Sequence, residues 1–175
     1  MAGSQRDERA WIRGAQQGSV SDLEALFRHH WPKAYRAAYL VVHDSGAAED
    51  IAQEAFLAAV RGLDRFDRRR PFGPWLHRIV VNRAIDWSRA RALRRESGDA
   101  ALEVVAAPAG PDNPHAQTLA AALSGLSPEH RAVIVLRHLL EYTPGEIADL
   151  LDVPRGTVNS RLRRGLDALS QEVER

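Results

Sequence analysis

Apolar positions recur at three-and-four spacing along most of the chain, and no run alternates in the manner of a strand, so an all-α fold is expected. In the first half, Leu23, Leu26, Phe27, His30, Trp31, Tyr35 and Ala38 mark one helix face, which Pro32 either bends or restarts. After a turn at His43 to Gly46, a second stripe runs through Ile51, Ala55, Phe56, Ala59 and Val60 and ends near Gly62. A third follows Gly73, with Leu76, Ile79, Val80, Ala84 and Trp87 facing one way. Trp11 and Ile12 lie ahead of Gly18 at the start of the pattern.

Towards the C-terminus the helix starts are marked by caps as well as by period. Ser127-Pro-Glu-His opens a run containing Val133, Ile134, Leu136, Leu139 and Leu140, and Thr143-Pro-Gly-Glu146 is a capping box with proline at the first helical position. The short helix carrying Ile147, Leu150 and Leu151 stops at Asp152-Val-Pro, and Val158, Leu162, Leu166 and Leu169 line a last helix. Two helices joined by so tight a turn predict a helix-turn-helix. Between the halves, residues 96–117 are rich in Ala, Pro, Gly and acids without sustained period, as in a flexible linker. The expected organisation is therefore two small helical domains, 1–95 and 118–175, on either side of that tether.

Composition narrows the chemistry. The 175 residues include no cysteine, which excludes disulfides, thiolate zinc sites and thiol nucleophiles. The seven histidines show no ligand spacing with acids, so no metal, no cofactor and no enzymatic activity are expected. No stretch of about 18 uncharged apolar residues exists, and the N-terminus runs into charge, so a cytoplasmic protein without membrane insertion is expected.

The net charge of +1 conceals a strong asymmetry: segments 1–60, 61–95, 96–117, 118–152 and 153–175 carry −2, +8, −4, −3 and +2. In the basic block, Arg68, Arg69 and Arg70 alternate with Phe66, Phe72 and Trp75, and basic charge beside stacking surfaces suits single-stranded DNA. Further along, Arg78, Asn82 and Arg89 share a polar helix face with Asp86, where Asn82 is able to bond a base edge; core packing is the alternative for Trp75 and Trp87. The last helix surrounds its leucine stripe with Arg155, Thr157, Asn159, Ser160, Arg161, Arg163 and Arg164, the side-chain types that read a major groove; the alternative is a solvated face of paired arginines. Asp50, Gln53, Glu54 and Leu57 share an acidic, amphipathic face that would repel phosphate, so any partner there is a protein with basic groups.

Three segments in order, Ala48 to Phe56, Phe72 to Asp86 and Tyr142 to Arg164, resemble those of extracytoplasmic-function sigma factors, and the likeness covers nearly everything except the linker. The resemblance implies that Asp50, Gln53, Glu54 and Leu57 hold the β′ clamp of core RNA polymerase, with the β flap as a second polymerase contact. It implies that Phe66 to Phe72, Trp75, Arg78, Asn82 and Arg89 engage the opened -10 element. The Arg155 to Arg164 set would then read the -35 element as duplex. An anti-sigma partner is common in the family. Many members carry arginine at the position of Asn159, so base preference there is not transferable, and no middle domain is evident. The rival reading is a polymerase-independent helix-turn-helix regulator, for which the acidic face and the basic-aromatic block would have no use.

Overall fold

The computed structural model describes residues 2–97, 119 and 121–173, and among these every regular element is helical. Helix α1 spans Ala2–Gln16, α2 Val20–Val42, α3 Ser45–Gly62 and α4 Phe72–Glu96. Ser19 caps α2 by accepting from the Asp22 amide, and Asp44 caps α3 by accepting from the Ala47 amide at 2.9 Å. Helix α2 passes through Pro32 without a restart. It ends on His43, which takes the left-handed conformation (φ 55°), so the connection to α3 is shorter than the four-residue turn expected. Helix α4 starts at Phe72 rather than after Gly73, and Pro74 falls in its first turn, where no intrahelical N–H is lost.

The second half of α2 forms the centre of the core. Ala37, Ala38, Tyr39, Leu40, Val41 and Val42 are consecutive and buried, which one amphipathic face cannot explain; the helix is covered on several sides. Helices α1, α3 and α4 supply most of that cover, and Ala34, Ala48, Ala52, Ala55 and Ala59 let the axes approach closely. Ile12 of α1 and Leu76, Val80, Val81 and Ala84 of α4 close the cluster.

In the C-terminal half, α5 (Pro128–Ile134) begins at the Ser127 cap and runs on as a π-turn through Leu139. Helix α6 (Pro144–Leu151) opens with the expected capping box, both reciprocal bonds being present, and ends at Asp152 in the left-handed conformation. Helix α7 (Arg155–Val173) follows Pro154, and buried Val158 and Ile147 join the helix-turn-helix to α5. The sequence did not announce how the halves meet: one continuous set of buried side chains runs through both, because α5 and α6 pack on α2 and α4. Most of the expected linker, from residue 98 onward, lies outside the described residues.

Candidate nucleic-acid interface

The basic-aromatic block folds as a single helical turn, Leu63–Arg65, and a short loop leading into α4. Gln16 at the end of α1 fixes this loop: its Nε2 donates to the Leu63 carbonyl at 2.8 Å and to the Phe66 carbonyl at 3.1 Å. Asp67 turns the chain again, its carboxylate accepting from the Arg69 amide at 3.0 Å and its carbonyl from the Arg70 amide at 2.9 Å. Arg68, Arg69 and Arg70 consequently stand exposed on a tethered loop.

Beneath them Phe66 stacks on Trp75, with ring centroids 4.7 Å apart and planes at 28°. Both rings are half-buried, and both residues line an open cavity. Phe72 does not serve as a stacking surface, contrary to the expectation from sequence. It is 3 % exposed, wedged edge-on against Phe66 and Trp75 and tilted against His30, so it supports the shelf from the core side. Gly62 keeps the shelf in place, since a Cβ there would lie 3.2 Å from Cζ2 of Trp75. An open cavity of about 660 Å³ sits at this shelf, lined by Phe66, Arg70, Trp75 and Arg78 from one side and by Tyr142, Glu146 and Asp149 from the other.

Arg78 is exposed and Asn82 half-buried on the same face of α4. Arg89 is engaged: its Nε donates to Glu129 of α5 at 2.7 Å, with Asp86 3.9 Å away. Burial works against the charge of Glu129, but its own backbone amide and the Arg89 guanidinium more than offset this and hold its carboxyl below the usual range.

On α3, Asp50, Gln53, Glu54 and Leu57 are all exposed on one face, opposite buried Ile51, Ala55 and Phe56. Leu57, at 53 % exposure, is an apolar side chain about one turn from Glu54, with exposed Val60 one turn on. Glu54 is ion-paired with Arg83 of α4, and Gln53 donates to Glu49 at 3.1 Å. On α7, Arg155, Asn159, Arg163 and Arg164 are exposed, while Thr157, Ser160 and Arg161 are half-buried. The Ser160 hydroxyl donates to the Thr157 carbonyl at 3.0 Å, which leaves its oxygen able to accept. Gly165 lies on the packed side, where a Cβ would come within 2.7 Å of the Ile134 side chain, so α7 is seated closely on α5 with its polar face outward.

Residues 26–94 match the Sigma-70 region 2 family and residues 116–169 the Sigma-70 region 4 family. The ECF RNA polymerase sigma factor SigW of Bacillus subtilis strain 168 is 30 % identical over 176 residues, covering 93 % of this chain and 92 % of its own. The chain belongs to the sigma-70 family, as an extracytoplasmic-function sigma factor. SigL of Mycobacterium tuberculosis strain H37Rv is 32 % identical over 165 residues, covering 91 % of this chain and 93 % of its own. The structure of CnrH in complex with the cytosolic domain of CnrY superposes with a TM-score of 0.72 at 27 % identity, covering 96 % of this chain and 97 % of that one. This sigma factor is therefore a non-enzymatic initiation factor that acts with RNA polymerase at particular promoters.

The region 2 match takes in α2, α3 and α4 with the arginine loop, and the region 4 match takes in α5 to α7. Among the described residues no helix is long and apolar enough to cross a membrane, and no group of three potential ligands for a metal occurs. Arg65 of the basic-aromatic block also lines the cavity, whereas sequence reasoning missed Gln16, which sets the loop. It also missed Tyr142 and His77, whose hydroxyl and Nδ1 lie 2.8 Å apart across the junction of the halves. None of these carries a local signal, because each acts through a partner tens of residues away.

Proposed function

We propose that this sigma factor divides its work among three surfaces. The exposed face of Asp50, Gln53, Glu54 and Leu57 grips the β′ clamp of core polymerase: carboxylates beside an apolar knob suit a basic, partly apolar protein groove and repel DNA. The shelf of Phe66 and Trp75 captures an unstacked -10 nucleotide, Arg68, Arg69, Arg70 and Arg78 hold the flanking phosphates, and Asn82 bonds a base edge. Helix α7 enters the major groove of the -35 duplex, with Arg155, Asn159, Arg163 and Arg164 outermost, Thr157, Ser160 and Arg161 at its margins, and the β flap behind it. The work is cytoplasmic, and the likeness to CnrH bound by the cytosolic domain of CnrY supports a second protein partner of the anti-sigma kind.

The observation that carries this reading is the separation of charge: an acidic face on α3, an arginine-aromatic shelf at the start of α4 and an arginine-rich face on α7. Capture of flipped bases on a preformed shelf offsets an unstacking cost of a few kcal/mol per step, so melting needs no covalent chemistry. In vitro transcription with core polymerase tests it. Asn82→Ala and Arg164→Ala are expected to abolish promoter-specific transcripts that the parent supports; normal transcripts from either variant remove that residue. The whole reading fails if the parent does not co-elute with core polymerase yet binds a duplex tightly alone.

A further inference from the structure

Helix α1 lies ahead of the region 2 match, which begins at residue 26, yet its end touches the single-strand reader. The half-buried Gln16 side chain faces the carbonyls of Leu63 and Phe66 at 2.8 Å and 3.1 Å. A carbonyl only accepts, so the amide nitrogen must serve both. These two carbonyls bracket the turn that carries Arg65. Within the turn the Phe66 amide donates to the Leu63 carbonyl at 3.0 Å, and so short a helix of this tight kind is poorly held without outside support. A second tie runs from the same helix: Glu8 accepts from Nε2 of His30 at 2.7 Å, and the His30 ring centroid lies 5.1 Å from that of Phe72, which backs the shelf.

Arg65 is exposed, lines the cavity beside Phe66 and Trp75, and among the described residues forms no ion pair. Arg69, by contrast, leans toward Asp67 at 3.7 Å and is not part of the cavity wall. We infer that Gln16 is a positioning residue for the single-strand reader: it holds the turn so that Arg65 takes the phosphate of the nucleotide whose base stacks on Phe66 and Trp75. The inference rests on the -10 reading proposed above and adds Arg65 as a contact and Gln16 as the group that aims it. An arginine on an untethered turn would lose both backbone and side-chain freedom when it met a phosphate. With the turn already fixed by Gln16, only the side chain is left to order, and binding gains what the backbone no longer loses.

Binding of a fluorescent single-stranded -10 oligonucleotide by the full chain with core polymerase, repeated across a range of salt, tests this. Arg65→Ala is expected to weaken binding about tenfold. It should also flatten the slope of log affinity against log salt by about 0.7, the share of one phosphate contact on a single strand. Gln16→Ala removes no charge, yet it is expected to weaken binding about fivefold and to flatten the slope in the same way, because the arginine it aims is lost to the contact. The double variant should bind no worse than Arg65→Ala alone, since both changes remove the same contact. Gln16→Ala should keep the parent's affinity for a -35 duplex, which is read by α7. Parental affinity and slope in Arg65→Ala, an unaltered slope in Gln16→Ala, additive losses in the double variant, or an equal loss of duplex binding by Gln16→Ala each overturn the inference. Failure of the parent itself to bind the oligonucleotide with core polymerase overturns the -10 reading instead.

Discussion

The two arginine-rich surfaces of this sigma factor differ in what stands behind the charge. At the start of α4 the arginines lie on a loop above stacked Phe66 and Trp75, half-buried and partly walled by the other half of the molecule. On α7 they stand on a continuous helix whose apolar stripe is seated on α5, with Arg163 and Arg164 exposed and, among the described residues, no aromatic in the same helix. A ring plane is useful only to a base that has left its stack, whereas a straight helix with long donors fits a groove whose bases stay paired. Similar charge thus serves two states of the same nucleic acid, and the support beneath it separates them.

The largest effect expected is on the support itself. Leu76 is fully buried one residue after Trp75 and packs the start of α4 into the core. Leu76→Ala should destabilise the protein by about 2–5 kcal/mol, read as a lower denaturation midpoint, and should impair single-strand binding more than duplex binding. Equal loss at both surfaces would mean that the two halves unfold as one unit.

Next come the surfaces. Trp75→Ala should weaken binding of a single-stranded -10 oligonucleotide by about 1–3 kcal/mol in the presence of core polymerase, with little change in its salt dependence. Arg163→Ala should lower duplex binding and flatten the slope of log affinity against log salt by about 1. If Trp75→Ala flattened the salt slope instead, the shelf would be holding phosphate rather than a base.

Acid should act on the junction between the two regions. Burial lowers the pKa of His43 to about 4, helped by the facing Arg131, and lowers that of His77 to about 3, helped by His30 and Lys33. Both rings are held neutral when docked and regain an ordinary value near 6.5 when exposed. Docking is therefore strongest above that value and weakens as pH falls toward 4. Glu129, whose carboxyl sits below its usual range beside Arg89, gives way in the same direction at lower pH. Small-angle scattering should show the radius of gyration rising between pH 7.5 and pH 5; a constant radius would mean that neither ring is exposed by opening.

These contrasts were unequally visible in the sequence. The helices, the caps at Ser127 and Thr143 and the exposed face of Asp50, Gln53, Glu54 and Leu57 follow from spacing, because period and capping are local. Phe66 and Phe72 are indistinguishable by composition, yet one forms the shelf and the other is core, which depends on where the loop ends and α4 begins. The junction was not legible at all: Arg89 with Glu129, His77 with Tyr142 and Arg131 with His43 join residues 40, 65 and 88 positions apart, and isolated polar side chains carry no period.

The smallest effect expected concerns the better-marked half. Thr143 accepts from the Glu146 amide while the Glu146 carboxylate accepts from both the amide and the hydroxyl of Thr143, bonds that also hold the Glu146 carboxyl below its usual pKa. Thr143→Ala removes one partner from the first turn of α6 and should cost about 1 kcal/mol. Because α6 both leads into the reading helix and walls the shelf, fraying its first turn should loosen Tyr142 from His77 while leaving Val158 and the seat of α7 intact. Amide hydrogen exchange should then rise at residues 143–147 and at the junction but not along α7. Faster exchange throughout α7 would show that the helix-turn-helix has no stability of its own apart from that cap.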